Sequence, residues 1–302
     1  MFKKIIVPLD GSELAEQALE PALALAQQVQ GEVILLSVPV LQHMFVVEPA
    51  GYGFLLPEQS VDQSRHEQME YLKGVQTKRS HPDVTIRTLI EEGDEATTIV
   101  EVAAAQKADL IVMSTHGRTG FTRWMLGSVT EKVLREAPCP VLVIRHNQPI
   151  DRVIITLDGS ELAEQAVEPG LEIANSLGCH VTLFRTVPPM DVDAHLISSL
   201  DRLEQGFGDR LREEGYNQAM NYLQALAVRH AGVSGAIKTE VWGGDPAQTI
   251  VDFVEARHIS LIVMATHGRT GFQKWVHGSV TEKVLRTAPC AILVVRPRVT
   301  SA

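Results

Sequence analysis

Residues 114–145 read STHGRTGFTRWMLGSVTEKVLREAPCPVLVIR, and residues 265–296 read ATHGRTGFQKWVHGSVTEKVLRTAPCAILVVR. Of these 32 paired positions 23 are identical, far more than shared composition gives, so the chain contains a duplicated unit. Within each copy a glycine-bearing loop (Gly117, Gly120) leads to Gly127 and Ser128, where a helical pattern begins. Ser128 with Glu131, and Ser279 with Glu282, have the S-x-x-E spacing of a capping box, which predicts both serines as helix N-caps. A helix start carries unbonded N–H groups and the positive end of the helix dipole, and small residues before it let an anion come close. The stretch is a phosphate cradle in outline.

A second repeat lies upstream. LDGSELAEQA occupies residues 9–18 and returns at 157–166, an offset of 148, whereas the HGRTG offset is 151. The second copy therefore holds three extra residues between the motifs, and two domains, 1–147 and 148–302, are expected. Hydrophobic residues make up 45% and charged residues 21% of the 302, the composition of a globular protein whose halves can each bury a core. A net charge of −10 argues against binding a nucleic-acid backbone or an anionic membrane. It leaves room for a small polyphosphate held by main-chain donors. The start, MFKKIIVPLD, is too short for a signal sequence, no long apolar run follows, and a cytoplasmic location is expected. Cys139, Cys179 and Cys290 form no C-x-x-C pair, so they read as buried reduced thiols rather than zinc or redox ligands.

Residues 3–9 (KKIIVPL), 32–38 (EVILLSV), 109–114 (DLIVMS) and 141–145 (VLVIR) are near-continuous apolar runs, as strands buried on both faces should be. Residues 84–90 (VTIRTLI) alternate like an edge strand. Between them helices are predicted over 13–30, 61–79, 94–106 with Asp94 as N-cap, and 128–136, while 39–57 reads as irregular. From residue 151 the order repeats, with strands near 152–157, 181–187, 237–241, 261–265 and 292–296. Helices start near Glu161, Gly206, Pro246 and Ser279. Strands alternating with helices mean an α/β fold with a doubly wound parallel sheet in each half. Ligands of such sheets bind beyond the carboxyl ends of the strands, where strand order reverses. That brings Asp10 and the 114–128 loop to one crevice, and Asp158 and the 265–279 loop to another.

These features together, in both copies and over essentially the whole chain, resemble the universal stress protein (UspA) family in its tandem form. The matching residues are the Asp after the first strand, the G-D segments at Gly93 and Gly244, the strands ending in T-H-G, the Gly-Ser helix starts and the A-P-C finishes. The resemblance implies two five-stranded sheets of order 3-2-1-4-5. Its nucleotide-binding branch carries G-x2-G-x9-G-[ST]. Gly117 with Gly127-Ser128, and Gly268 with Gly278-Ser279, fit the last two glycines, while Ser114 and Ala265 replace the first. Carried over, the resemblance puts Asp10 and the Ser114 main chain on a ribose and the Val38 main chain at an adenine. Gly117, Gly127, Ser128 and Val129 would hold phosphates, with Pro8, Met113, His116, Arg118, Gly120 and Thr130 as neighbours. The second site would use Asp158, Val187, Ala265, Gly268, Gly278, Ser279 and Val280, flanked by Met264, His267, Arg269 and Thr281. The implied ligand is ATP, AMP or ADP, with Mg2+ as the companion of a triphosphate. The family also implies that the last strands of the two halves pair antiparallel, covering two sheet edges; a homodimer beyond that is compatible, and nothing in the sequence fixes it.

Bland uses stand beside these. Asp10 can cap the following helix, and the glycines can serve turns alone. His116 and His267 have no acid or nucleophile beside them in sequence, and Trp124 and Trp275 suit packing better than base stacking. His277 stands where Leu126 stands in the first copy, so the two crevices differ. There is no G-x4-G-K-[ST] and no nucleophile elbow. The leading expectation is a nucleotide-dependent regulator without enzymatic turnover. A slow ATP hydrolase and a scaffold that binds no nucleotide are the alternatives.

Overall fold

The structure is a computed structural model of the chain, and it describes residues 2–39, 43–47, 53–57, 61–115, 126–146, 148–189, 206–232, 236–266 and 279–296. It divides into two compact units, Met1–Ile144 and Arg145–Ala302. The first contains β1 (Lys4–Pro8), α1 (Glu13–Glu16), α2 (Leu19–Gln27), β2 (Glu32–Ser37), β3 (His43–Val47) and β4 (Gly53–Pro57). It continues with α3 (Val61–Lys78), β5 (Thr85–Ile90), α4 (Glu95–Ala105), β6 (Leu110–Ser114), α5 (Ser128–Glu136) and β7 (Val141–Ile144). Its sheet runs β7-β6-β1-β2-β5, every pair parallel.

The second unit contains β8 (Arg152–Thr156), α6 (Glu161–Glu164), α7 (Val167–Leu177), β9 (His180–Val187) and α8 (Phe207–Arg229). After these come β10 (Lys238–Gly243), α9 (Pro246–Arg257), β11 (Leu261–Ala265), α10 (Ser279–Thr287) and β12 (Ala291–Val295). Its sheet runs β12-β11-β8-β9-β10, again parallel throughout. The apolar runs are the sheet centres: Ile5, Ile6 and Val7 in β1 and Leu110, Ile111 and Val112 in β6 are wholly buried, as are Val153, Ile154 and Ile155 in β8. Helices on both faces of a parallel sheet leave no solvent-facing side, which is why these strands do not alternate. Among the described residues no helix is long and apolar enough to cross a membrane.

Three departures from the sequence expectation have physical causes. The helix expected over 13–30 is two helices, broken at Gln17–Ala18, because Pro21 has no N–H for the Gln17 carbonyl and its ring crowds that carbonyl. The chain tightens there through Gln17 N–H to Leu14 O (3.3 Å) and Ala18 N–H to Ala15 O (3.1 Å). Pro169 breaks α6 from α7 at Gln165–Ala166 in the same way. The segment expected to be irregular contains the antiparallel pair β3–β4, with His43 opposite Pro57 and Val47 opposite Gly53. Finally, β9 and β10 stay paired to Val187 and Gly243, whereas β2 and β5 stop at Ser37 and Ile90. Pro39 stands where Val187 stands and cannot donate to the ladder.

Cys139 and Cys290 are buried, as expected, and Cys179 is half-buried. Burial pushes Cys139 and Cys290 up to about 12 and Cys179 up to about 11. Among the described residues no group of His, Cys, Asp or Glu could hold a metal ion. A thiol reagent at pH 8 should therefore titrate essentially none of them in the native protein and all 3 after denaturation. Because the folded values are raised, the stability these neutral thiols confer is complete below about pH 9 and is lost as pH rises toward about 12. Fast reaction of the folded chain would show that Cys139 and Cys290 are exposed.

Candidate functional site

In the first unit strand order reverses between β1 and β6, and both chain segments leaving those strands are held by main-chain bonds. Beyond β1, Leu9 N–H reaches Leu36 O (2.7 Å), and the chain turns at Gly11, whose φ of +87° suits glycine. The half-buried Asp10 accepts from Ser12 N–H (3.0 Å) and Ser12 Oγ (2.7 Å) through Oδ1. Ser12 Oγ in turn accepts from Ala15 N–H (3.1 Å). Ser12 is thus the cap of α1, and Asp10 braces it. The second unit repeats this: Gly159 has φ +86°, and Asp158 Oδ1 accepts from Ser160 N–H (2.9 Å) and Oγ (2.7 Å). Neither Asp is an N-cap, so capping does not account for them.

The other wall is the passage from β6 to α5. Thr115 N–H reaches Ile144 O (3.1 Å), and Gly127 N–H reaches Thr115 O (2.9 Å). Thr130, buried, donates from Oγ1 to Ser114 O (3.1 Å). The start of α5 is thereby tied to the end of β6. In the second unit Thr266 N–H reaches Val295 O (3.0 Å) and Thr281 Oγ1 donates to Ala265 O (3.1 Å). The expected capping box does not form. Gly127 is the N-cap of α5, with extended φ −62° and ψ 146°, and Ser128 is the first helical residue, exposed. Likewise α10 begins at Ser279 itself. The cap expected at Ser128 falls one residue too late, because a Gly-Ser pair offers two candidate caps and only the backbone angle decides. The shift leaves the Ser128, Val129 and Thr130 N–H groups as the first turn, where no helical acceptor exists.

The strand positions that the resemblance places at an adenine, Val38 and Val187, are not equivalent in the two units. Strand main-chain groups alternate in direction. Leu36 O faces β1 through Leu9 N–H, and Ser37 O faces β5 through Glu91 N–H (3.2 Å), so Val38 faces the space beyond β1. In the second unit Phe184 O accepts from Leu157 N–H (2.8 Å), but Val187 O accepts from Gly244 N–H (3.1 Å) and is turned to β10. Thr186 is the counterpart of Val38. The repeated Val-Pro pairs, Val38-Pro39 and Val187-Pro188, suggest the wrong register by one residue.

Met113 and Met264 are buried in the sheet core, and the Thr130 and Thr281 hydroxyls are engaged as above. Pro8 ends β1, and Val129 and Val280 are half-buried in the first turns of α5 and α10. His116, Gly117, Arg118, Gly120, His267, Gly268, Arg269 and Gly278 lie outside the described residues, as do Trp124, Trp275 and His277. Sequence reasoning missed a brace behind the helix start. Lys132 Nζ donates to Asp94 Oδ1 (2.7 Å) and Thr97 Oγ1 (2.7 Å), and Lys283 Nζ donates to Asp245 Oδ1 (3.0 Å). Lys132 holds the Asp94 carboxyl well below the usual range, and Asp245 is lowered first by the Gln248 N–H. A cavity of about 330 Å³ between α1 and α3, lined by Glu16, Tyr71 and Lys78 among others, lies on the helical face and not at this crevice.

The family model described as the Universal stress protein family matches residues 1–145 and 149–296. A universal stress protein of Methanocaldococcus jannaschii, MJ0531, is 40% identical over 145 residues, covering 48% of this chain and 83% of that protein. The universal stress protein E homolog of Haemophilus influenzae is 24% identical with 98% of each chain covered. Among solved structures, a universal stress protein from Archaeoglobus fulgidus superposes with a TM-score of 0.66 at 20% identity, covering 97% of this chain and 96% of that one. Two successive family matches on two units of one sheet order make this chain a member of the universal stress protein family, with two family domains in one polypeptide.

Proposed function

We propose that this chain is a cytoplasmic stress-response protein that binds one adenine nucleotide (ATP, ADP or AMP) in each unit and acts through that binding, without turnover. The observation that carries the reading is the placement, in both units, of a braced Asp turn and a helix start beyond the two strands that flank the point of strand reversal. Asp10 and Asp158 accept the ribose hydroxyls, together with the Ser114 and Ala265 carbonyls. The main chains of Val38 and Thr186 meet the base. The free N–H groups of Ser128 and Val129, and of Ser279 and Val280, take the phosphates, joined by Gly117, Gly127, Gly268 and Gly278. Main-chain donors at a dipole end can hold a polyanion on a protein of net charge −10 without a lysine-rich pocket. A Mg2+ ion would travel on the triphosphate, its other ligands being water, since the described residues offer no carboxylate cluster.

The test is a thermal melt of nucleotide-stripped protein with ATP. At a hundredfold excess over the dissociation constant the linkage is about 2.7 kcal/mol, or roughly 5–10 °C for a domain of this size. Asp10→Ala with Asp158→Ala should remove most of the shift, measured from the variant's own unliganded melting temperature because each Asp also braces a cap. No shift in the parent chain would end the proposal. Phosphate release from ATP well above a blank would overturn its non-enzymatic half.

A further inference from the structure

The cavity between α1 and α3 of the first unit measures about 330 Å³, within the range of small-ligand pockets. On its α1 side Glu16 accepts from the Tyr71 hydroxyl through Oε1 (3.0 Å), and its Oε2 has no bond among the described residues. Lys78, on the last turn of α3, also lines the cavity, and its ammonium has no partner among the described residues. Tyr71, Gly74, Val75 and Lys78 follow at the three- and four-residue steps that share one helix face, so Gly74 lies between the phenol and the ammonium. The other two charges on the wall are engaged: Glu70 with Lys73 (3.3 Å) and Arg79 with Glu20 (3.1 Å). Gly74 has no packing reason. A Cβ there would meet nothing within 4 Å, yet glycine inside a helix is less stable than alanine.

The second unit shows what completes such an arrangement. Glu164, Tyr222, Ala225, Leu226 and Arg229 stand where Glu16, Tyr71, Gly74, Val75 and Lys78 stand in the first. There Arg229 Nη1 reaches Glu164 Oε2 at 3.1 Å, so the chain itself supplies a guanidinium to the carboxylate. The first unit keeps the carboxylate, puts a lysine in place of the arginine, and has the smaller Gly74 and Val75 where Ala225 and Leu226 stand. We propose that this cavity binds a free amino acid with a cationic side chain. The ligand's guanidinium takes the place on Glu16 that Arg229 takes on Glu164, and its α-carboxylate pairs with Lys78. A simple cation would face Lys78 and a simple anion would face Glu16, so a ligand bearing both charges suits both ends. The Tyr71 hydroxyl orients the Glu16 carboxylate for a forked donor, which favours arginine over lysine. The cavity lies apart from the nucleotide crevices, and the inference stands without them.

Three probes separate the two ends: L-arginine, agmatine, which lacks the carboxylate, and L-citrulline, whose side chain carries no charge. Titrated calorimetrically into the full chain, L-arginine should bind a single site. Agmatine and citrulline should each bind at least about fivefold more weakly, the scale of one partly exposed ion pair. Gly74→Leu should abolish arginine binding by filling the space beside α3, and its side chain enters a position with no neighbour to displace. Lys78→Arg should abolish it too, because the variant's own guanidinium bonds Glu16 as Arg229 bonds Glu164. Both changes lie on the cavity wall, and melting curves close to the parent's should show that both variants fold. Loss of arginine binding in both, with the two analogues weaker on the parent, bears the proposal out. No arginine binding by the parent, equal binding of the three probes, or undiminished binding in either variant overturns it.

Discussion

Phe184→Ala should destabilise the second unit by about 3–5 kcal/mol and leave the first untouched. Phe184 is wholly buried and belongs to an aromatic triad, 4.5 Å from Phe253 and 6.4 Å from Trp242, with Trp242 and Phe253 5.1 Å apart edge-on. Removing the Phe184 ring takes away its transfer free energy, leaves a cavity between β9, β10 and α9, and strips Phe253 and Trp242 of an aromatic partner. The repeat supplies the control: Leu36, Glu91 and Val102 occupy the equivalent positions of the first unit, so no such cluster exists there. A calorimetric melt should split, the second unit's transition falling by roughly 10–15 °C for this domain size. Nucleotide binding in the second crevice should weaken too, since the Phe184 carbonyl positions Leu157 one residue before Asp158. A loss under about 1 kcal/mol would mean that the triad is not close-packed.

The parts of the fold that the sequence made readable are those governed by burial and repetition. Runs such as IIV, LIVM and ILVV can only be strands covered on both faces, and the duplicated loop places the two crevices at equal points. What was hidden depended on single bonds. Pro21 sits only two residues into α2, a place where proline is ordinarily harmless, yet it removes the bond that would have joined α1 to α2. The cap at Gly127 rather than Ser128 is set by one ψ angle. The shift from Val187 to Thr186 is a strand register, which a Val-Pro match disguises. Arg185 gave no local signal, because an arginine at a strand end ordinarily points to water; only the fold brings it beside Gly159 and Tyr222, distant in sequence.

The duplication also explains why positioning, more than chemistry, limits the site. Both units keep the Asp turn, the helix start and the buried threonine, while the residues at the ends of β2 and β9, Ser37 and Arg185, have diverged. What is held in common is a set of main-chain donors that must be aimed, and neither Thr130 nor Thr281 has a hydroxyl to spare for a ligand.

Thr130→Val and Thr281→Val should therefore each cost stability and affinity together. Valine fills the same volume, so no cavity forms, but the half-buried Ser114 carbonyl or the buried Ala265 carbonyl loses its donor at 3.1 Å. Loss of such a bond costs about 1–3 kcal/mol, and the threonines that donate it are 3% and 4% exposed. The same bond fixes the first turn of α5 or α10 against the end of β6 or β11, so its N–H groups lose their aim and nucleotide affinity in that unit should fall by about tenfold. Thr130→Ser, which keeps the hydroxyl, should recover most of both losses and separates hydrogen bonding from packing. Binding stoichiometry should stay at one per unit throughout, because neither threonine touches the ligand. A Thr130→Val protein that melts and binds like the parent would show that the Gly127 N–H bond to Thr115 O, at 2.9 Å, anchors the helix start alone.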